Sequence, residues 1–285
     1  MTIIWLLLPA LMWGLLPFAI EFVGGTTKNQ IFGTAVGTLI AGFFVIAFRG
    51  IDISPRNFIL AALAGAFWIS GQLGQYTAYK NIGVSRTMPV STGLQLIGTS
   101  LIGVIIFGEW SSTTARILGF IGIAMLVLGV FLTSYTENKS ENIGHHTKQT
   151  YTVLVLTTVG YLIYNTLPKA MSASGLAIFF PESVGMVIAV LLYLAVTRNL
   201  SAVKEIKSWQ HILAGLIFSI AAIAYINSVR YNGVNTAFVV GQLSVVLSTV
   251  GSLFILKEHK TTRELALTLL GLAVIVGGAV ITTLS

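Results

Sequence analysis

Ten long apolar runs, separated by short polar connections, dominate the chain. A helix needs about 20 mainly apolar residues to cross the hydrocarbon layer of a bilayer, and each run is close to that length. The pattern therefore predicts ten transmembrane helices. Their expected limits are about 3–23, 31–48, 58–79, 87–107, 115–135, 151–171, 178–197, 209–229, 235–256 and 264–284.

The composition agrees with this prediction. Hydrophobic residues fill 55% of the 285 positions and charged residues only 9%, against roughly 25% in an average soluble domain. The net charge of +7 does not indicate nucleic-acid binding, because the Lys and Arg residues are scattered singly and form no basic patch. The absence of cysteine excludes disulfides and thiolate metal sites. We expect a multi-pass plasma-membrane protein without cofactor or metal.

The one long polar stretch, residues 136–150, separates two halves that resemble each other. The run Gly83-Val84-Ser85 recurs as Gly233-Val234-Asn235, 150 positions on. Because each half has five helices, an odd number, halves joined by a short linker enter the membrane in opposite orientations. We predict an all-α membrane protein of two inverted five-helix repeats, residues 1–135 and 151–285. Inverted repeats place a solute site between the halves and allow alternating access.

The distribution of positive charge predicts the orientation. Eleven of the sixteen Lys and Arg residues fall on the side of the polar linker and five on the other. Cytoplasmic loops carry the excess of Lys and Arg, so the linker is predicted to be cytoplasmic and both termini outside. His145 and His146 in the linker lack a third ligand nearby and are predicted to be solvated. Glu109 and Glu258 follow apolar helices and are predicted to be structural.

Polar groups inside the spans are the candidates for solute binding, because each costs free energy to place there. Trp68, Gln72, Gln75 and Tyr79 are spaced by four, three and four residues and share one helix face. A sugar needs this combination, since its hydroxyls pair with amides and its apolar face lies on an aromatic ring. Further neutral candidates are Ser91, Thr92, Gln95, Thr99, Tyr161, Tyr164, Asn165, Tyr225, Asn227, Asn235, Gln242 and Thr249. The alternative for each is a hydrogen bond between helices, worth about 0.6 kcal/mol per pair.

Two carboxylates, Glu21 and Glu182, fall within the spans, each near one end. A carboxyl partly removed from water can take up a proton on one side of the membrane and release it on the other. Both are therefore candidates for proton coupling, and the alternative is that both reach the interface and stay solvated. Aligning Gly33 with Gly185 puts Gln30 at the position of Glu182 in the repeat.

The run RTMPVSTGLQLIGT at 86–99, continued by GEWSS at 108–112, closely resembles the bacterial glucose/ribose porter family of the drug/metabolite transporter superfamily. So do NQIFGT at 29–34, Trp13-Gly14 and Gly185-Met186. The likeness covers essentially the whole chain and is closest to the glucose-uptake branch, although the ribose branch stays open.

This resemblance implies uptake of a monosaccharide by proton symport in the plasma membrane of a Gram-positive bacterium. Among monosaccharides it favours glucose. It also implies that helices one to four and six to nine surround the cavity, with helices five and ten outside. The motif residues carried over are Trp13, Asn29, Gln30, Gln72, Ser91, Thr92 and Gln95. The family often has an amide where this chain has Glu21 and Glu182, so the residue that carries the proton stays open.

Ribose uptake, uncoupled sugar diffusion and export of drugs or metabolites remain alternatives with the same fold. Cationic drugs would require a carboxylate deep in the cavity, where this sequence places neutral amides. An enzyme would require a nucleophile with a base or a metal cluster, and the sequence offers neither, so we predict that the chain is not an enzyme. The expected partners are the monosaccharide, protons and membrane lipid, with the chain a monomer or weak homodimer.

Overall fold

A computed structural model describes residues 2–108, 110–137, 141–173, 175–232 and 234–284, with all side chains except those of 2, 141–146, 169, 234–236 and 239. Every regular element in these ranges is a helix. Glu109, Gly233 and the side chains of His145, His146 and Asn235 lie outside the described residues. The predictions made for them therefore stay predictions.

Most of the helices are long and apolar, and a few are short. They are α1 (Thr2–Val23), α2 (Thr27–Arg49), α3 (Pro55–Ile82), α4 (Val84–Phe107), α5 (Thr113–Thr133), α6 (Glu141–Thr166), α7 (Gly175–Val196), α8 (Ile206–Gln210), α9 (Ile212–Asn232), α10 (Val234–Gly241), α11 (Leu243–Ile255) and α12 (Thr262–Thr283). Within the described ranges, eight spans are long and apolar enough to cross a membrane, with α8 and α9 together as Ile206–Asn232. The chain is an all-α, multi-pass membrane protein.

Short polar side chains cap the starts of several helices. Thr26 accepts a hydrogen bond from the Asn29 amide while the Asn29 side chain accepts one from the Thr26 amide. Thr261 and Glu264 form the same reciprocal pair before α12. Each pair satisfies two backbone donors that have no partner within the helix. The helix boundaries are therefore set by local sequence as well as by hydropathy.

Two helices differ from the sequence prediction. The sixth begins at Glu141 instead of near residue 151, because the polar residues after 140 continue the helix beyond the apolar run. The ninth predicted helix, 235–256, is divided into α10 and α11 on either side of Gln242. At this break the Val245 amide bonds to the Gln242 carbonyl at 3.1 Å, a tighter turn than the α-helical one. Gly241 precedes the break, and glycine weakens a helix interior.

Eight helices form a closed ring in which each packs on the next. Their order around the ring is α1, α9, α2, α7, α3, α6, α4 and α11, which returns to α1. The remaining long helices, α5 and α12, pack on each other beside α4. Gly122 and Gly129 of α5 face Gly278 and Gly271 of α12, where an added Cβ would meet backbone atoms. This close approach agrees with the glycine spacing of both helices.

Hydrogen bonds between connections identify the two ends of the ring. Lys80 donates to the Gly25 carbonyl and Lys207 to the Val23 carbonyl. The Glu137 amide donates to Glu264 at 2.9 Å. We call this end, which carries residues 24–26, 80–86, 134–137, 200–211 and 257–264, the linker face. At the other end, the opposite face, Asn57 after the α2–α3 connection bonds to Ser172 after α6.

Glu258 has the structural position predicted for it. Its two carboxylate oxygens accept hydrogen bonds from the amides of Val84 at 2.7 Å and Ser85 at 2.9 Å. These are the first amides of α4, which have no partner within that helix, and a carboxylate there also interacts favourably with the helix dipole. Glu258 thereby joins the connection after α11 to the start of α4.

Candidate functional site

A continuous chain of hydrogen bonds links amides and hydroxyls of α3, α4 and α6. Gln72 Nε2 donates to Gln75 Oε1 at 3.2 Å, and the Tyr161 hydroxyl lies 2.6 Å from Gln72 Oε1 and 2.8 Å from Gln75 Oε1. Gln75 Nε2 donates to Ser91 Oγ at 3.1 Å, as does Gln95 Nε2 at 3.3 Å. We call these residues, with Asn165, the amide network. The consecutive helices α3 and α4 and the more distant α6 thus bring neutral donors and acceptors to one place.

The amide network runs from the molecular surface to the interior. Asn165 is exposed near the opposite face and donates to Gln95 Oε1 at 3.5 Å. Gln95 is half-buried, whereas Gln75 and Gln72 are only 7% and 3% exposed. Polar groups are therefore continuous from the opposite face to the centre of the ring.

An aromatic cluster adjoins the buried end of the amide network. The Trp68 ring lies 4.8 Å from Phe218 and 6.4 Å from each of Tyr161 and Tyr164, between ring centroids. The Tyr164 hydroxyl lies 3.5 Å from Glu182 Oε2, and Glu182 is 5% exposed. Flat apolar surface, amides and one carboxyl are thus neighbours. The structure places the coupling candidate Glu182 beside the aromatic residues predicted to bind substrate.

Glycines allow the helices that carry these groups to approach closely. A Cβ on Gly65 of α3 would overlap the Glu182 carbonyl of α7, and one on Gly185 of α7 would overlap the Ala62 carbonyl of α3. A Cβ on Gly71 would meet the Tyr161 ring at 2.7 Å. Larger residues at these positions would separate α3 from α6 and α7 and would pull the amide network apart.

A second group of predicted residues lies at the corner of α1, α9 and the α10–α11 break. The Trp13 and Tyr225 rings are 5.6 Å apart between centroids. A Cβ added at Gly241 would lie 3.8 Å from Trp13 and 3.9 Å from Tyr225. Gln242 follows and donates to the Phe238 carbonyl at 3.4 Å. Both groups border one apolar cluster that includes Trp68 and Val245, with Trp13 packed against it.

Other predicted residues lie apart from the amide network. Thr92 is half-buried on α4 next to Ser91. Asn227 bonds to the Ile223 carbonyl and lines an apolar cavity of about 430 Å³ between α2 and α9, on the outside of the ring. Glu21 is half-buried near the linker face, with Oε1 buried and without a hydrogen-bond partner among the described residues.

The prediction from individual residues did not include two polar side chains of the interior. Gln30 is 1% exposed, and neither atom of its side-chain amide has a hydrogen-bond partner in the described chain. A buried amide without partners is costly, so water or a solute is expected to satisfy it. Tyr76 is completely buried with its hydroxyl 3.1 Å from Thr34 Oγ1. Two signals in the sequence pointed to Gln30: the family motif at 29–34 and its alignment with Glu182 in the repeat.

Among the described residues no group of three or more histidine or acidic side chains could hold a metal ion. The side chains of the amide network and the aromatic cluster offer hydrogen bonds, flat aromatic surface and one carboxyl.

Comparisons with known proteins identify the family. Residues 4–285 match the family model described as "Sugar transport protein". A Lactobacillus johnsonii protein assigned by name to sugar uptake is 48% identical over 287 residues, covering 100% of both chains. A Latilactobacillus sakei protein assigned by name to ribose uptake is 37% identical over 280 residues, covering 96% of this chain and 95% of its own. These names describe transporters rather than enzymes.

A solved crystal structure has the same fold. It superimposes with a TM-score of 0.66 over 99% of this chain and 98% of its own length, at 16% sequence identity. At that identity the likeness concerns the fold alone. A further relative from Listeria monocytogenes, assigned by name to sugar uptake, is 37% identical over 282 residues, covering 99% of this chain and 98% of its own.

Proposed function

The chain belongs to the sugar transport protein family, and on this premise we propose that it imports a monosaccharide by proton symport. The monosaccharide that we propose is glucose. In this proposal a ten-helix transporter of two inverted repeats exposes the amide network alternately to the two sides of the membrane. The observation that carries the proposal is the amide network together with the neighbouring Trp68 ring. Neutral hydrogen-bonding groups there lie next to a flat aromatic face.

The chemistry of the amide network suits a sugar. Each sugar hydroxyl donates and accepts, and Gln72, Gln75 and Gln95 offer both functions in one side chain. In the described conformation Gln72 and Gln75 bond to each other and to Tyr161, and Gln95 bonds to Ser91. A bound sugar replaces such internal bonds with bonds to its own hydroxyls, so the cost of desolvating the amides is already met before binding.

The packing supports two inverted repeats. The contacts of α1 with α9 and α11 correspond to those of α6 with α3 and α4, and those of α2 with α9 correspond to those of α7 with α3. The connection after α1 lies at the linker face, while the connection after α6 lies at the opposite face. The first helices of the two halves therefore run in opposite directions, as inverted repeats require.

The polar route supports uptake from the opposite face, which the charge distribution predicts to be outside. Asn165 is exposed at that face and leads through Gln95 to the interior. At the linker face the residues between α1 and α2 are hydrogen-bonded to other helices through Lys80, Lys207 and Asn29. This arrangement corresponds to the state in which solute enters from outside, and release requires these linker-face bonds to open.

Glu182 is the carboxyl that we propose to carry the proton. It is 5% exposed, and its contact with Tyr164 connects it to the Trp68 cluster. A buried carboxyl is more readily accommodated neutral than charged. Protonation from outside would therefore favour closure around the sugar, and deprotonation to the cytoplasm would favour return.

Uptake of labelled glucose into vesicles tests the proposal. Gln72→Ala is expected to weaken glucose binding about tenfold, because it removes one hydrogen-bonding group from the buried site. Gln149→Ala, an exposed amide of α6 outside the network, is the matched control and is expected to leave uptake unchanged. Wild-type uptake that survives collapse of the proton gradient would leave sugar transport standing and refute symport. Equal glucose affinity in both variants would refute the site.

Ribose is the second candidate substrate, because the Latilactobacillus sakei relative is named for it. Competition between the two sugars for labelled glucose uptake decides between them. We expect unlabelled glucose to compete at lower concentration than ribose. The reverse order would assign the chain to ribose uptake without changing the site.

A further inference from the structure

A large cavity lies at the linker face, outside the helix ring. Its volume is about 1140 Å³, and it is enclosed by the start of α4, the end of α5, α6 and the start of α12. Its lining residues are Arg86, Ser134, Tyr135, Thr136, Thr147, Lys148, Tyr151, Thr152, Val155, Leu156, His259, Lys260, Thr261 and Glu264. The cavity shares no lining residue with the amide network, so it is not explained by the sugar site.

Positive charge is concentrated in this cavity. Arg86, Lys148 and Lys260 line it together with His259, whereas Glu264 is the one acidic residue of the lining. The Glu264 carboxylate already accepts hydrogen bonds from the amides of Glu137 at 2.9 Å and Thr261 at 3.3 Å, and it pairs with Arg86 at 3.7 Å. The cavity lining that the structure describes therefore has a cationic excess.

Part of the positively charged cavity lining, around Lys260 and Tyr151, is shielded from water. Lys260 lies in the connection before α12 and donates to Thr268 Oγ1 at 2.7 Å. Burial, reinforced by the charge of Arg86 and opposed by Glu264 and Glu258, lowers the pKa of its ammonium group to about 8. The Tyr151 hydroxyl is buried and makes no direct hydrogen bond within the described residues, with Ser134 as its neighbouring polar side chain. An anion would stabilise the ammonium groups and accept the hydroxyl hydrogen bond.

The cavity has an apolar side as well as a basic one. Val155 and Leu156 line it from α6 and are 52% and 68% exposed. They follow Lys148 by two helical turns, so they lie deeper along α6, where its exposed side chains are apolar. A basic pocket at the end of a helix bundle that continues onto a lipid-facing apolar surface fits an amphiphile with an anionic head.

We propose that this cavity binds an anionic phospholipid of the leaflet at the linker face. Lys148, Lys260 and Arg86 hold the phosphate, the Tyr151 hydroxyl donates to one of its oxygens, and an acyl chain lies along Val155 and Leu156. The lipid would join α4 and α6 of the ring to the outer pair α5 and α12. This inference concerns a separate site and does not depend on the proposed sugar transport.

Native mass spectrometry of the detergent-purified chain with short-chain phosphatidylglycerol tests the proposal. The wild type is expected to bind one phosphatidylglycerol in preference to phosphatidylcholine of the same chain length. Each basic residue near a membrane surface contributes about 1 kcal/mol to anionic lipid binding, or about fivefold in Kd. The double variant Lys148→Gln, Lys260→Gln is therefore expected to bind about 25-fold more weakly.

A matched control separates the cavity from surface charge in general. Lys257→Gln removes a cation from the same connection, outside the cavity lining, and is expected to keep wild-type affinity. Lys260→Arg retains the charge and is expected to retain binding, which distinguishes loss of the cation from loss of folding. Equal affinity in the wild type and the double variant would overturn the proposal, as would equal weakening by Lys257→Gln.

Inorganic phosphate distinguishes a membrane lipid from a soluble phosphate. Leu156→Asn is expected to weaken phosphatidylglycerol binding while leaving any inorganic phosphate binding unchanged. Inorganic phosphate that binds as tightly as phosphatidylglycerol would overturn the assignment to lipid. As the pH rises through about 8, Lys260 loses its charge, so wild-type affinity is expected to fall while that of Lys260→Arg does not. The other charged groups that face this ammonium are Arg86, Glu258 and Glu264.

Discussion

The corner formed by α3, α4 and α6 and the corner formed by α9, α10–α11 and α1 are built alike but carry different side chains. At an offset of 150 residues, Gln72 corresponds to Ala222, Gln75 to Tyr225 and Ser91 to Gly241. The first corner is joined by hydrogen bonds, with Tyr161 bonded to both glutamines. The second is formed by the rings of Trp13 and Tyr225 around Gly241.

We propose that this difference makes a site between two related halves asymmetric. Helix packing depends on small residues and apolar surface, which both halves supply, so the packing stays similar when the polar side chains differ. A sugar is itself asymmetric, with hydroxyl groups at its edge and an apolar ring face. We propose that it places hydroxyls on the α3–α4–α6 corner and its ring face on the α1–α9 corner.

A second pair of corresponding residues, in the first halves of α2 and α7, differs in the same way. Aligning Gly33 with Gly185 makes Gln30 the counterpart of Glu182. Both are buried, Gln30 to 1% and Glu182 to 5% exposure. The side-chain amide of Gln30 remains neutral at every pH, whereas Glu182 can gain and lose a proton. The two halves therefore differ at the position that we propose to couple transport to protons.

Replacement of Glu182 by glutamine removes this difference and is expected to have the largest effect. Glu182→Gln should abolish accumulation of glucose against a gradient and should remove the pH dependence of uptake, because the site can no longer release a proton. Exchange of labelled for unlabelled sugar should continue. Vesicle accumulation measures the effect, with Asp52→Asn, an exposed carboxylate in the α2–α3 connection, as the control. Full accumulation by Glu182→Gln would clear Glu182 and direct attention to Glu21.

Replacement of Gln75 by leucine makes the hydrogen-bonding corner resemble the apolar one. Ser91 and Tyr161 each lose one of two partners, while Gln95 and Gln72 remain. Sugar hydroxyls that bond to Gln75 would be left unpaired, at a cost of about 1–3 kcal/mol, so glucose affinity should fall about 30-fold. The variant should also lose discrimination between glucose and a deoxyglucose that lacks the contacted hydroxyl. Calorimetric titration with both sugars measures this. Retained discrimination would show that the sugar hydroxyls bind elsewhere.

Replacement of Trp13 by leucine removes flat surface from the aromatic corner. The expected loss is about tenfold in affinity, because an aromatic contact is worth about 0.5–1.5 kcal/mol beyond its buried area. The loss should be equal for glucose and its deoxy analogue, in contrast to Gln75→Leu. Thermal unfolding serves as the folding control. A loss confined to one of the two sugars would contradict the division of roles between the corners.

Replacement of Gly241 by serine introduces the residue that the other half has at Ser91. An added Cβ would meet Trp13 and Tyr225 at ordinary contact distances of 3.8 and 3.9 Å, so the side chain fits. We expect glucose affinity to change by at most about fivefold, because one neutral hydrogen bond contributes about 1 kcal/mol net. Calorimetry of the variant measures it. A tenfold loss would show that the sugar lies against Gly241 itself.

Sequence patterning predicted much of the fold because a bilayer imposes strong constraints. Apolar length identified the spans, and the repeat of Gly83-Val84-Ser85 identified two related halves. The structural position predicted for Glu258 is confirmed. The division of the ninth helix at Gln242 was not predicted, because a tightened turn leaves the hydropathy unchanged.

The candidate site was harder to predict, because side-chain partners come from different helices. Gln72 and Gln75 could be placed on one helix face from their spacing. Their bonds to Tyr161, 86 and 89 residues away, depend on how α6 packs against α3. Asn227 matched the same polar criterion, yet its side chain lines a cavity outside the ring.

The sequence by itself determined that this chain crosses a membrane repeatedly and which family it belongs to, and its repeated motif predicts two related halves. These properties follow from local composition and from residues compared along one dimension. Only the tertiary structure decided that polar side chains of three helices form one hydrogen-bonded network, that Glu182 lies beside Tyr164, and that cations from three segments share one cavity at the linker face. Such contacts depend on the angles and separations at which helices pack, and a helix's own sequence does not fix its neighbours.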